Sequence, residues 1–215
     1  MKSKILGLLA VGLLAAPLLS QAAPVISNGS LTGPLAQGGV PTGWATYAGS
    51  PDTNDVNNNV GGGTPFAVAP SGPSPDGGTW VGIGIGTSGF FEEFGQVVSG
   101  FDGSSYTLSW FAGNFGAVTG PGYDAPNLID VLLNGTLIGS GYPLPVNANW
   151  WSQSLTFAAP SGSNRISFRL SDGTANSYMS IDGISFTAAS VPEPGTLALL
   201  SLGLAGLGLS RRRRA

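Results

Sequence analysis

The chain has 215 residues and contains no cysteine and no histidine. The first absence excludes disulfides and thiol chemistry, and the second excludes histidine-based catalytic triads and imidazole metal sites. Residues 23–190 carry ten carboxylates against Arg165 and Arg169, a net charge of −8. This charge excludes nucleic-acid binding, which needs clustered lysine and arginine, and it suits divalent cations and neutral polymers better.

The first 22 residues are typical of a secretory signal peptide. Lys2 and Lys4 form a positive start, and an apolar stretch follows at 5–19. Ser20-Gln21-Ala22 then places small residues at the two positions that a signal peptidase reads. The pattern predicts export and cleavage after residue 22, with an uncleaved N-terminal anchor as the alternative.

Residues 23–190 are predicted to form one domain, an all-β antiparallel sandwich. Glycine is abundant, helical periodicity is absent, and short alternating segments recur between turn residues, which is the pattern of such a fold. Tyr106, Leu108, Trp110 and Ala112 share one face of a strand, so Trp110 is assigned to the core. Other strands are predicted at 79–85, 90–98, 128–133, 136–138, 150–158, 165–170 and 178–187.

The segment 165–170 gives the clearest alternation. Ile166, Phe168 and Leu170 alternate with Arg165, Ser167 and Arg169. The first three are expected to face the core and the others the outside, because successive strand residues point to opposite faces.

Two dipeptides predict local irregularities. Asn134-Gly135 favours positive φ at both central turn positions, which predicts a two-residue hairpin. In the last strand, Met179 and Ile181 share a face, but Ile184 falls on the other. One extra residue at Asp182-Gly183 restores the register and predicts a β-bulge, with a tight turn as the alternative.

Two long segments, 48–78 and 113–127, are predicted to be irregular because they are rich in turn residues. The first contains Asp52, Asn54 and Asp55, and calcium takes six to eight oxygen ligands of this kind. The spacing does not match an EF-hand. The alternatives are therefore a calcium site at these three residues and a solvated Asn/Asp turn.

Aromatic side chains suggest a sugar-binding surface, because a ring face packs well against the C–H face of a pyranose. The candidates are Tyr123, Trp44 and Trp80, and Tyr123 is expected to be the most exposed because it lies in a loop. Burial in the core is the alternative for each. Glu92 and Glu93 are the only adjacent carboxylates. A strand would turn them to opposite sides, which disfavours the converging pair that a glycosidase needs.

Several stretches of the body follow a common pattern of strands and turns: 26–30 with Gly43-Trp44, 96–98 with 106–109, 131–136 and 181–186. In these stretches the body resembles the galactose-binding-like jelly rolls that are common among carbohydrate-binding modules. The resemblance implies a jelly-roll sandwich and, less directly, a sugar ligand. Many such modules hold a structural calcium near the chain start and the final strand, with Phe-Glu where this chain has Leu31-Thr32.

The last 25 residues have a distinct organisation. Val191, Pro192, Glu193 and Pro194 begin it, and the two prolines favour an extended backbone. An uncharged stretch at 195–209 follows, and Arg211, Arg212, Arg213 and Arg214 nearly end the chain. As a helix this stretch spans roughly 22 Å, enough for a thin membrane. The arginines are expected on the cytoplasmic side.

This tail resembles the PEP-CTERM sorting segment of exported Gram-negative bacterial proteins. The resemblance implies an inner-membrane precursor that an exosortase recognises and cleaves near the Pro-Glu-Pro motif. A plain C-terminal membrane anchor is the alternative. The sequence thus predicts a non-enzymatic structural or adhesive protein of the cell envelope or extracellular matrix, with no cofactor apart from the calcium considered above. A carbohydrate-binding module for exopolysaccharide is the second hypothesis, and a glycoside hydrolase is the third.

Overall fold

The structure is a computed structural model that describes residues 23–57, 59–118, 122–171 and 173–189, together with residue 203. The predicted signal peptide, at 1–22, lies outside the described residues, as does all of the predicted tail except residue 203. Within the part of the chain that is described, no helix is long and apolar enough to cross a membrane.

Two five-stranded antiparallel sheets form a β-sandwich, as the sequence predicts for a jelly roll. The first sheet has the order β1-β6-β11-β8-β9 and the second the order β10-β7-β12-β5-β2, while β3 and β4 pair with each other. The strands are β1 (Ala45–Ala48), β2 (Asp52–Asn54), β3 (Asn59–Val60), β4 (Thr64–Pro65), β5 (Trp80–Ile85), β6 (Glu93–Phe101), β7 (Ser105–Gly113), β8 (Ile129–Leu133), β9 (Thr136–Ser140), β10 (Trp150–Ala158), β11 (Gly162–Leu170) and β12 (Ser177–Ala188).

The main core lies between the two sheets. The alternation predicted in β11 is confirmed on its inner side, because Ile166, Phe168 and Leu170 are all buried in this core. Trp110 of β7 is 1% exposed and packs against Phe168, also as predicted. On the outer side of β11, Ser167 is buried as well, because its hydroxyl donates a hydrogen bond of 2.6 Å to Glu93.

Both predicted irregularities are confirmed. Asn134 and Gly135 have φ of 52° and 83° and join β8 to β9 in a two-residue hairpin. The pairing of β12 with β7 shifts between Asp182 and Ser185, and Gly183 has a φ of 59°. The bulge lets Ile181 and Ile184 both face the core, so the alternative of a tight turn is wrong.

The segment 48–78 is more regular than the sequence predicts. It contains β2, which pairs with β5 at the edge of the second sheet, and the hairpin of β3 and β4. Polar residues of β2 are buried because their side chains find hydrogen-bond partners across the fold, which is the condition for burying polar groups. The predicted strand at 90–98 instead begins at Glu93, and Phe90 and Phe91 remain in the turn that follows β5.

A second, smaller hydrophobic cluster covers part of the outer face of the second sheet. Phe66 and Phe115 come from the segments that cross this face, and Trp80 and Tyr178 come from the sheet itself. Aromatic edge contacts hold the cluster together; Trp80 and Trp150, for example, lie 5.1 Å apart between ring centroids at 81°. Because the cluster covers only part of the face, a cleft remains open beside it.

Candidate functional site

The cleft on the outer face of the second sheet has a volume of about 230 Å³. The strands β5, β2 and β12 provide its floor, and the segments around Phe90 and Tyr123 provide its walls. It is the place where rings and hydrogen-bonding groups meet, which is typical of small-ligand sites. The side chains and backbone that line it include Gln37, Asp52, Gly84, Phe90, Glu92, Tyr123 and Tyr178.

Alternating glycines in β5 make room for this cleft. Val81, Ile83 and Ile85 face the main core, so residues 82, 84 and 86 face outward. A Cβ atom at Gly82 would lie 1.9 Å from the Tyr178 hydroxyl and 2.4 Å from Nδ2 of Asn54. Only a residue without a side chain therefore allows Tyr178 and its partners to lie flat on the strand.

A buried hydrogen-bond chain forms the floor. The Tyr178 hydroxyl donates to Oδ2 of Asp52 at 2.9 Å, and Nδ2 of Asn54 donates to the Tyr178 hydroxyl at 3.0 Å. The Gly38 amide donates to Oδ1 of Asp52. Burial raises the pKa of Asp52 above its ordinary value, although these hydrogen bonds oppose the change. Burial also raises the pKa of Tyr178 well above 10, so it stays a hydrogen-bond donor.

Glu92 is the second carboxylate of the cleft and is 4% exposed. Its Oε2 accepts a 2.6 Å hydrogen bond from the Gly84 amide, and its Oε1 accepts one from the Ser50 hydroxyl at 3.2 Å. Burial raises the pKa of Glu92 to about 7, and the nearby charge of Asp52 also raises it. Two carboxyl groups this close do not ionise together easily, so Glu92 can hold a proton near neutral pH.

Tyr123 and Phe90 provide the ring surfaces. Backbone hydrogen bonds in both directions hold Tyr123 against Ala117, at 3.0 and 3.1 Å. Its ring is half-buried against the small cluster, so it is less exposed than the sequence predicts. Phe90 is 37% exposed and lies in the turn after β5. The rings leave apolar surface open beside the polar floor.

Trp44 and Trp80, the other predicted stacking rings, are buried. Trp44 is 8% exposed, packs on Phe94 and Phe168, and donates from Nε1 to the Asn28 carbonyl. Trp80 is 0% exposed within the small cluster. Their ring faces are covered by protein, so the structure contradicts this part of the prediction and favours the alternative, burial.

The proposed calcium ligands are all engaged within the protein. Besides Asp52, Oδ1 of Asn54 accepts from the Gly61 amide, and the two oxygens of Asp55 accept from the backbone and side chain of Asn57. The alternative of a solvated turn is wrong for Asp52 and Asn54, which are buried. Calcium binding at this segment remains a prediction.

The calcium that the jelly-roll resemblance implies, near the chain start and the final strand, remains a prediction. Leu31 is fully buried in the core, and the carboxylate of the final strand, Asp182, has Asp76 as its nearby charge. Among the residues that the structure describes, no three carboxylates group in a way that could hold a metal ion.

Glu92 and Glu93 lie on different surfaces, as the sequence predicts. Glu93 bonds to Ser167 on the first sheet, whereas Glu92 lies in the cleft. The carboxylate beside Glu92 is Asp52, which is distant in sequence. Sequence analysis missed this pairing and the role of Phe90, although the alternating glycines at 82, 84 and 86 were a visible signal that one face of β5 is open.

No curated protein sequence matches this chain, but similar solved structures are found. A cyclase from Fischerella sp. TAU, in complex with 4-(1H-indol-3-yl)butan-2-one, aligns with a TM-score of 0.54 at 16% identity, covering 80% of this chain and 100% of the cyclase chain. TmCBM61, in complex with β-1,4-galactotriose, aligns at 0.44 and 12% identity over 76% and 100%. The GH26-CBM35 β-(1,4)-mannanase of Podospora anserina aligns at 0.41 and 18% identity over 67% and 29%. At these identities the likeness concerns the fold alone.

Residues 190–214 match the PEP-CTERM protein-sorting motif. The match contains both the motif at 191–194 and the arginines at 211–214, and it confirms the resemblance that the sequence indicates. The chain is therefore an exported protein with a membrane-anchored precursor, and it carries the C-terminal signal on which an exosortase acts.

Proposed function

We propose that the chain is an adhesive protein of the cell surface or extracellular matrix whose β-sandwich binds a neutral polysaccharide in the cleft. The observation that carries this proposal is that Tyr123 and Phe90 meet Asp52 and Glu92 over the outward face of β5. Ring faces pack against the C–H faces of sugars, and carboxyl groups accept hydrogen bonds from sugar hydroxyls.

The charge of the body supports an uncharged ligand. Residues 23–190 have a net charge of −8, and the cleft contains two carboxyl groups and no arginine or lysine. An acidic polymer would be repelled, whereas a neutral one is bound by stacking and hydrogen bonds. Added salt should therefore change the affinity little, because few charges are engaged.

Tyr123→Ala should weaken binding several-fold. A stacked ring contributes about 1 kcal/mol beyond its buried area, and each 1.4 kcal/mol is tenfold in affinity. The measurement is retention of the exported, processed protein on a panel of insoluble neutral polysaccharides, with the melting temperature recorded for each variant. Tyr123→Leu separates the two roles of the ring, because it keeps apolar bulk but removes the aromatic face.

The matched control is Trp151→Ala. Trp151 is also a partly exposed ring, 42% exposed, but it lies on β10 and does not line the cleft. It should leave binding unchanged. If Trp151→Ala weakens binding as much as Tyr123→Ala does, the cleft is not the site. If the protein is retained by no polysaccharide, a structural matrix role replaces the binding role.

The sorting signal makes a separate prediction. Glu193 carries the only charge of the motif at 191–194 and lies between Pro192 and Pro194 in the sequence. Glu193→Ala should leave unprocessed protein in the inner membrane fraction. Mass spectrometry of the C-terminus after cell fractionation measures this, with Thr196→Ala as a control just outside the motif. An unchanged C-terminus and location would show that Glu193 does not take part in sorting.

A further inference from the structure

We propose that the cleft is one half of a longer groove, and that the ligand is a linear chain of several neutral sugars bound along its length. This inference rests on the proposed function and specifies its ligand. A second hollow of about 290 Å³ lies directly beyond Phe90, lined by Gly86, Thr87, Phe91, Arg169 and Ser171. Nothing in the established sorting role accounts for it.

The two hollows share a wall. Phe90 lines both of them. The first hollow lies between Phe90 and Glu92, and the second lies between Phe90 and Arg169. At the foot of this wall, Gly86 lines the second hollow, and a Cβ atom there would lie 3.4 Å from the Tyr123 hydroxyl. Tyr123, which lines the first hollow, therefore lies close to Gly86, which lines the second. A molecule longer than one hollow would pass over this junction.

Size supports one continuous site. The hollows of about 230 and 290 Å³ lie near the lower end of the roughly 300–1,000 Å³ that is usual for ligand sites, so together they offer room for a ligand longer than either one holds. The turn between β5 and β6 is held open by its own backbone bonds, from Gly89 to Gly86 and from Gly86 to Phe90. The backbone that carries Phe90 and Phe91 is thus ordered without a ligand, and little backbone ordering is needed when one binds.

The second hollow has the chemistry of the first. Phe91 is 39% exposed and offers a ring, and Thr87 and Ser171 offer hydroxyl groups. The charge of Arg169 is compensated, because its cross-strand neighbours are Glu93 on β6 and Asp130 on β8. Nε of Arg169 lies 4.0 Å from Oδ2 of Asp130. The guanidinium can donate hydrogen bonds to sugar oxygens, but it does not create an anion site.

The test is binding as a function of ligand length. The exported, processed protein is titrated calorimetrically with β-1,4-linked gluco-, manno- and galacto-oligosaccharides of one, two, three and six units. Affinity should rise at least tenfold from the shortest ligands that bind to the hexasaccharide. Phe91→Ala should reduce that rise several-fold, since one stacking ring is lost. It should leave the affinity for the shortest ligands unchanged.

Two further variants make the result specific. Tyr123→Ala should weaken binding at every length, because its hollow is used by all of them. Phe91→Tyr keeps an aromatic ring and should show the same dependence of affinity on ligand length as the wild type. This result would show that Phe91→Ala acts by removing a ligand contact and not by disturbing the fold. If the wild-type protein binds but its affinity does not rise with length, or if Phe91→Ala weakens all lengths equally, the longer groove is wrong and the single cleft remains. If the wild-type protein binds none of these ligands, this inference fails together with the proposed function.

Discussion

The melting temperature of the protein should fall as the pH rises from about 4 to 7. Burial raises the pKa of Glu92 from 4.5 to about 7 and that of Asp182 from 3.8 to about 7. Below the pKa values of the unfolded chain, the folded and unfolded states both hold these protons, so the two carboxyl groups do not lower the free energy of unfolding. Above them the unfolded chain releases protons that the folded chain retains, and stability falls until the pH passes about 7.

Asp182 contributes to this effect because its carboxyl group has little compensation. It is 0% exposed at the bulge of β12, so burial is the largest cause of its raised pKa and the charge of nearby Asp76 adds to it, whereas hydrogen bonds from Ser74 and the Gly183 backbone oppose the rise only in part. One pKa unit corresponds to about 1.4 kcal/mol, so at pH 8 ionisation destabilises the protein by about 3 kcal/mol at Glu92 and about 4 kcal/mol at Asp182. For a domain of this size the two together lower the melting temperature by roughly 10 °C or more.

Calorimetry of the processed protein from pH 4 to 8 measures this fall. The double variant Glu92→Gln and Asp182→Asn should flatten the profile and be more stable than the wild type at pH 8, because neutral amides need not ionise. Asp124→Asn, which changes an exposed carboxylate, is the control and should leave the slope unchanged. A profile that rises from pH 4 to 7 in the wild type would contradict the raised pKa values.

Ile166→Asp should unfold the protein. Ile166 is 0% exposed at the centre of β11, between β6 and β8. The substitution removes a buried aliphatic side chain, which alone costs about 2–5 kcal/mol, and it places an unpaired carboxylate in the core. The sum is comparable to the whole stability of an ordinary domain. Circular dichroism and thermal melting of the purified variant measure the loss.

Arg165→Asp is the matched control, one residue away on the opposite face. Arg165 is partly exposed, and its guanidinium lies 4.4 Å from the centroid of the Tyr47 ring. Losing such a contact costs about 0.5–1 kcal/mol, so this variant should fold with a slightly lower melting temperature. Equal losses of melting temperature in the two variants would contradict the assignment of Ile166 to the core face of β11 and of Arg165 to the outer face.

The structural features that the sequence predicts correctly are those that depend on residues close together in the chain. The alternation around Ile166, the Asn134-Gly135 hairpin and the bulge at Asp182-Gly183 are local patterns, and the fold preserves all three. The hairpin needs positive φ at two adjacent residues, and the bulge needs one extra residue in a strand. A short stretch of sequence contains all the information for either.

The cleft depends on contacts between distant residues, and there the sequence was less informative. Asp52 joins Tyr178 across 126 positions, and no local pattern shows that a polar segment will pair with β5. The same limit applies to Trp44 and Trp80. An aromatic residue next to turn residues gives no indication of which side of a sheet its ring will occupy. The sequence places Tyr123 in a loop, but only the fold brings that loop to the cleft.

The floor and one wall of the cleft differ in how many neighbouring strands hold them in place. The floor lies on β5 and β12, which are paired on both sides within the second sheet. One wall includes the two-residue strands β3 and β4, which pair only with each other. We expect such a short hairpin to open locally at a lower free energy than the sheet, without global unfolding. A polymer could then enter the cleft from the side rather than by threading a free end.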